Sequence, residues 1–90
     1  MKNNSNNIEL LIMQKYNFLI GKPNCIYCDK AIDLLKLKNI EYIYLDYLEC
    51  EEFLDALRKA KGKVTFPQIF LSGERIGGFT DLEKHYEQNL

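Results

Sequence analysis

The chain of 90 residues is 47% apolar and 28% charged, a balance that suits one soluble globular domain whose modest core needs no disulfide to fold. Its formal net charge of −1 supplies no broad field for nucleic acid or anionic lipid, and no apolar run approaches the roughly 20 residues of a membrane span. Three cysteines do not make a secreted disulfide scaffold and the polar start "MKNNSNNIEL" is no signal peptide, so a cytoplasmic chain is expected.

Residues 1–14 read as an extension. "MKNNSNN" is low in complexity and expected to be frayed, while "IELLIMQ" has the makings of a short helix. Residues 15–90 read as the single domain. It opens with "KYNFLIG" (15–21), a short apolar run that predicts a buried strand ending at Gly21. After the loop "KPN", a helix is expected from Cys25 to Lys38. Ala31, Leu34 and Leu35 recur there at helical spacing, with Asp29, Lys30, Asp33 and Lys36 on the other face. "IEYIYLD" (40–46) alternates and is rich in β-branched and aromatic residues, which predicts a second strand. "CEEFLDALRKAKG" (50–62) carries acids in its first turn, bases in its last and Gly62 at the stop, an order that suits a helix dipole.

"PQIFL" and "ERIG" flank Ser72-Gly73 as a hairpin. "TDLEKHYEQ" places Thr80 and Glu83 at capping-box spacing and predicts a last helix from Thr80. The order is β-α-β-α-β-β-α, with no repeat and no linker. A strand, a crossover helix and a second strand imply a parallel right-handed unit, and the hairpin adds antiparallel strands. The expected α/β fold is a four-stranded mixed sheet with helices on both faces.

The stretch "GKPNCIYCDKA" puts Cys25 where the first strand hands over to the first helix. A sulfur at a helix start lies near unpaired N–H groups, which favours thiolate, and Lys22 favours it further. In Cys-x-x-Cys sites of this kind the first thiol commonly titrates at about 3.5 to 7.5. Cys28 is one turn onward on the same face and more buried. That asymmetry reads as a nucleophile that attacks a disulfide and a resolver that breaks the mixed disulfide formed. Zinc held by Cys25, Cys28, Cys50 and His85 is the competing reading, disfavoured because nothing repeats the close pairing of the first two. A permanent disulfide is disfavoured in a cytoplasmic chain. Cys50 reads as a bystander thiol, His85 as a packing residue, and the lysines at 59, 61 and 63 as a solvated helix end.

From about Lys15 to Tyr86 the chain resembles a glutaredoxin. Three motifs carry the likeness in order: "KPNCIYC" (22–28), "TFPQIF" (65–70) and "GGFTD" (77–81). The resemblance implies a thioredoxin-like three-layer fold and a redox-active dithiol, with Cys25 as nucleophile and Cys28 as resolving thiol. It implies a glutathione groove bordered by Lys22 and Tyr27, with Lys22 reaching toward a glutathione carboxylate. Pro67 would be a cis-proline facing the cysteines, and the backbone of Phe66 would pair with glutathione as a short added strand. Thr80 and Asp81 would take the γ-glutamyl end at the start of the last helix, and Gly77 and Gly78 would permit its close approach.

The resemblance further implies glutathione as reductant and no metal. The implied partners are disulfide-bearing or glutathionylated proteins, with ribonucleotide reductase as one candidate, and no nucleic acid or membrane. A monomer is expected. One departure keeps a second reading open. Ile26 stands where the family's most frequent pair, Cys-Pro-Tyr-Cys, has proline. Some members without that proline hold an iron–sulfur cluster between two subunits with glutathione, and act as carriers rather than as enzymes.

Overall fold

Alternation along the central strands decides which side chains meet. The structure, a computed structural model, describes residues 4–88. Of the start expected to fray, Met1 to Asn3 lie outside the described residues, and Asn4 to Asn7 instead belong to the first helix. The elements are α1 (Asn4–Met13), β1 (Phe18–Gly21), α2 (Ile26–Leu37), β2 (Ile43–Asp46), α3 (Glu51–Lys61), β3 (Gln68–Leu71), β4 (Glu74–Gly77) and α4 (Phe79–Gln88). A single 3-10 turn, Tyr47–Glu49, joins β2 to α3. The strands form one mixed sheet in the order β2-β1-β3-β4. Strand β1 is parallel to β2 and antiparallel to β3, and β3 is antiparallel to β4. This is the expected four-stranded mixed sheet.

Because side chains alternate across a strand, Phe18, Ile20 and Phe70 go to one face and Leu19 and Ile69 to the other. The first set packs with Ile8 of α1, Cys50 and Leu54 of α3. The second packs with Ala31 and Leu35 of α2 and Leu82 of α4. Phe18 and Phe70 are register partners and stack with ring centroids 4.4 Å apart. Each large apolar side chain so buried stabilises the fold by about 1.5–3 kcal/mol. Among the described residues, no helix is long and apolar enough to cross a membrane.

Three element boundaries differ from the sequence expectation, each for a local reason. Strand β1 begins at Phe18 because Lys15 is spent closing α1. Its φ is 64°, its N–H bonds the Ile12 carbonyl at 3.1 Å, and the Tyr16 N–H bonds the Leu11 carbonyl at 2.9 Å. That pair of bonds is a Schellman cap. The same cap closes α2 through Asn39, at φ 59°, and the Ile40 N–H bonded to the Leu35 carbonyl, which leaves only Ile43–Asp46 for β2. Helix α4 starts at Phe79 instead of beyond Thr80. Gly78 takes the N-cap position and its N–H is accepted by Asp81 Oδ2 at 2.9 Å. The predicted Thr80–Glu83 box does not form.

The hairpin has its turn at Ser72-Gly73 as expected. Both residues have positive φ, 52° and 80°, as a two-residue type I′ turn requires. Asn17 braces this end of the sheet, accepting the Ser72 N–H at 2.8 Å and donating to the Glu41 carbonyl at 3.0 Å.

Candidate functional site

The chain leaves β1 at Gly21 and turns through Lys22, Pro23 and Asn24. Asn24 adopts a positive φ of 55°, a conformation that asparagine tolerates better than most residues. That turn delivers Cys25 to the N-cap of α2 in extended geometry. Its Sγ accepts the Cys28 N–H at 3.2 Å, and its carbonyl accepts the Asp29 N–H at 3.1 Å. Cys25 and Cys28 are joined in a disulfide with their Cα atoms 5.2 Å apart. Cys25 is 9% exposed and Cys28 2% exposed, so the first residue is the less buried of the two. On reduction, the Cys28 N–H and the α2 dipole both stabilise negative charge on Cys25.

Facing the pair is the loop that enters β3. Its Phe66–Pro67 peptide is cis, Pro67 is buried, and the Phe66 carbonyl oxygen lies 3.8 Å from Cys25 Sγ. From this loop a cleft of about 300 Å³ runs to the start of α4. Tyr27, Phe66, Gly78, Phe79, Thr80 and Asp81 contribute to its walls. Tyr27 meets Phe79 across it with ring centroids 6.1 Å apart. Lys22 lies over the Phe66 ring, its Nζ 5.5 Å from the centroid. Gly77 is fixed by its own backbone. Its φ is 121°, and a Cβ there would collide with the Asp81 carboxylate. Gly78 has more room, its nearest neighbour for an added Cβ being the Pro67 carbonyl at 3.7 Å.

The fold therefore gathers Tyr27, Phe66, Gly78, Thr80 and Asp81 around one cleft, with Pro67 and Gly77 adjoining them in the chain, the Phe66 carbonyl near Cys25 and Lys22 against the Phe66 ring. It does not gather the four residues of the zinc reading. Cys50 lies in the core on the α1–α3 side of the sheet, while His85 sits against Tyr86 on α4. Among the described residues no three His, Cys, Asp or Glu side chains converge on a metal position. Cys50 is fully buried, with its Sγ 3.5 Å from the Asp46 carbonyl. Burial first, then the Glu49 and Asp46 charges, push its thiol up to about 11.

Sequence reasoning missed Thr65, Gln68, Arg75 and Phe79, all of which line the cleft. The signal for Gln68 was available, since a polar residue inside the apolar run "PQIFL" implies a buried partner. A larger hollow of about 500 Å³ lies between α2 and α4, lined in part by Leu34, Lys38 and Tyr86. Neither hollow is lined by a cysteine, but the smaller cleft is walled by Phe66, whose carbonyl oxygen lies 3.8 Å from Cys25 Sγ, and by Tyr27 between the two cysteines.

A family model described as Glutaredoxin matches residues 13–76. The mitochondrial glutaredoxin-2 of Bos taurus is 36% identical over 86 residues, covering 92% of this chain and 55% of that protein. The glutaredoxin of Vibrio cholerae is 39% identical over 80 residues, covering 80% of this chain and 91% of that one. The chain thus spans about half the length of the mitochondrial relatives it matches. Among solved structures, glutaredoxin 1 of Francisella tularensis, complexed with cacodylate, superposes with a TM-score of 0.63 at 30% identity. It covers 81% of this chain and 93% of that one. A buckwheat glutaredoxin–glutathione complex has a TM-score of 0.77 at 24% identity, covering 94% and 81%, a likeness of fold. The chain belongs to the glutaredoxin family.

Proposed function

We propose that this glutaredoxin-family chain is a glutathione-dependent thiol–disulfide oxidoreductase that reduces glutathionylated thiols and protein disulfides in the cytoplasm. The observation that carries the reading is the Cys25–Cys28 disulfide at the start of α2, faced by Phe66, which also walls a cleft that reaches Asp81. A cleft of about 300 Å³ suits a ligand of tripeptide size. The cis-Pro67 loop offers the Phe66 backbone beside Cys25, where an extended peptide can add as a strand.

With a glutathionylated protein, the Cys25 thiolate attacks the glutathione sulfur. A Cys25–glutathione disulfide forms, and the protein thiol departs with a proton from solvent. A second glutathione thiolate then attacks the bound glutathione sulfur, releasing oxidised glutathione and restoring the Cys25 thiolate. With a protein disulfide, Cys25 forms a mixed disulfide to the protein and Cys28 attacks Cys25 Sγ. The substrate leaves as a dithiol, and the Cys25–Cys28 disulfide remains for two glutathione molecules to reduce. Steady-state turnover of a glutathionylated peptide, read as oxidised glutathione formed, tests the reading. Saturation in the peptide is expected. A rate no higher than that without protein overturns it.

Ile26 supports a second reading, because it is 70% exposed beside Cys25 in place of the family's frequent proline. In that reading Cys25 and glutathione, from two copies, ligate a bridging iron–sulfur cluster. The ultraviolet–visible spectrum of protein purified without oxygen separates the two. A colourless monomer is expected, and a brown glutathione-dependent dimer would make the cluster reading the main one.

A further inference from the structure

The cleft holds a charged side chain that the exchange chemistry leaves unused. Arg75 of β4 is the register partner of Phe70 of β3, a pairing set by the two-residue turn. Gln68, two residues before Phe70, shares its face, so Gln68 and Arg75 meet as a diagonal pair. Arg75 Nε donates to Gln68 Oε1 at 3.2 Å, and Gln68 Nε2 donates to the Thr65 carbonyl at 2.6 Å. Gln68 is 2% exposed, whereas Arg75 opens to solvent. The guanidinium is thus tethered through one nitrogen to a buried amide, itself tied to the loop ahead of cis-Pro67. Its Nη1 and Nη2 atoms take no part in that tether and keep the planar fork that suits a carboxylate.

Arg75 and Asp81 line the same cleft. Among the described residues they form no ion pair with each other. Asp81 uses Oδ2 for the Gly78 N–H. One cation and one carboxylate, separated and facing the same space, match an α-amino acid zwitterion better than a simple anion, which Asp81 would repel. Glutathione has such a zwitterion at its γ-glutamyl end and a lone carboxylate at its glycyl end. Lys22, against the Phe66 ring, is a second cation, and it does not line the cleft.

We propose that Arg75 is a specificity residue for the γ-glutamyl group, its guanidinium taking the α-carboxylate while Asp81 takes the α-ammonium. Gln68 is the positioning residue that holds the fork in place. The assignment rests on the glutathione reading above, which it deepens.

Three mixed disulfides of one cysteine peptide test it: with glutathione, with γ-glutamylcysteine and with cysteinylglycine. Wild-type protein should prefer the first two over the third. If it has no preference, the glutathione reading fails with the proposal. Arg75→Ala should lower kcat/KM about tenfold for both γ-glutamyl disulfides, the scale of one partly exposed charge-assisted contact, with the loss confined to them. Arg75→Lys keeps the charge without the fork and should recover part of the loss. If wild type has the preference and Arg75→Ala keeps it whole, the glutathione reading stands and the Arg75 proposal falls. If instead the loss follows cysteinylglycine and spares γ-glutamylcysteine, Arg75 serves the glycyl carboxylate and the assignment is overturned. An equal loss on all three, or no recovery with lysine, makes the arginine structural and overturns it too. Thermal melting of each variant confirms that the compared proteins are folded.

Discussion

At Cys25 the sulfur accepts the Cys28 N–H at 3.2 Å, and the residue is 9% exposed against 2% for Cys28. Attack requires a thiolate that a substrate can reach, so Cys25→Ser should abolish exchange with every disulfide. Cys28→Ser should split the substrates. A glutathionylated peptide is still turned over, because free glutathione releases the intermediate, while a protein disulfide slows and leaves a mixed disulfide visible on a non-reducing gel. Retention of both activities would remove Cys28 as resolver. These two residues were legible in the sequence because spacing and a strand-to-helix handover place them. The glycines were legible only as a pair. Their difference lies in backbone angles that sequence does not carry: Gly77 has a φ of 121° with the Asp81 carboxylate where a Cβ would go, and a Cβ on Gly78 would make only an ordinary contact with the Pro67 carbonyl. Gly77→Ala should therefore destabilise by more than about 1 kcal/mol, and Gly78→Ala by less, in denaturant melts. Comparable losses would mean that the Gly77 angle is not held.

Among the elements, α4 shows how a sound local signal can point two residues astray. Thr80 and Glu83 have capping-box spacing, yet Gly77's positive φ turns the chain early enough for Gly78 to become the cap. Asp81, at the third helical position, then reaches back to the Gly78 N–H, half of the reciprocal arrangement expected two residues later. The consequence is a division between two adjacent residues. Asp81→Ala should lower stability by about 0.5–2 kcal/mol, the usual range for a lost cap bond, and also weaken turnover of glutathionylated substrate. Thr80→Ala should stay within about 0.5 kcal/mol of wild type, because its side chain is exposed and makes no cap bond. Equal losses in thermal melts would return the cap to Thr80. The shortened β1 and β2 have the same kind of cause. Their expected first residues serve the Schellman caps of α1 and α2, whose positive-φ members are Lys15 and Asn39 rather than glycine. A lysine in that role leaves little trace in a sequence.

Over the whole molecule, one sheet separates two cores, and Cys50 belongs to the one away from the cysteine pair's own helix. No motif assigned it a place, because its burial depends on Ile8, Phe18, Leu54 and Phe70 converging from four distant segments. Its thiol is fully buried, donates toward the Asp46 carbonyl at 3.5 Å, and is pushed up to about 11 from an ordinary 9.0. Burial is the main cause, and the nearby Glu49 and Asp46 charges add to it. The folded state therefore keeps this proton when the unfolded chain has already released it. The residue's contribution to stability is intact below about pH 9 and declines as the pH rises from there through about 11. Burial raises Tyr44 and Tyr86 in the same direction, Tyr44 with help from Asp46, Asp29 and Tyr42, so alkaline loss by itself does not isolate Cys50. A difference does. In a Cys25→Ser, Cys28→Ser background Cys50 is the only thiol, and Cys50→Ala then removes the one titration of interest while the tyrosines remain. At pH 8 the protein with Cys50 should be the more stable, because alanine leaves a small void in a packed core. Between pH 9 and 10.5 that advantage should shrink, measured as the gap in unfolding free energy from parallel denaturant melts. A gap that stays constant would mean that the fold does not hold the thiol proton, and that water reaches a sulfur placed at the centre of the α1–α3 core.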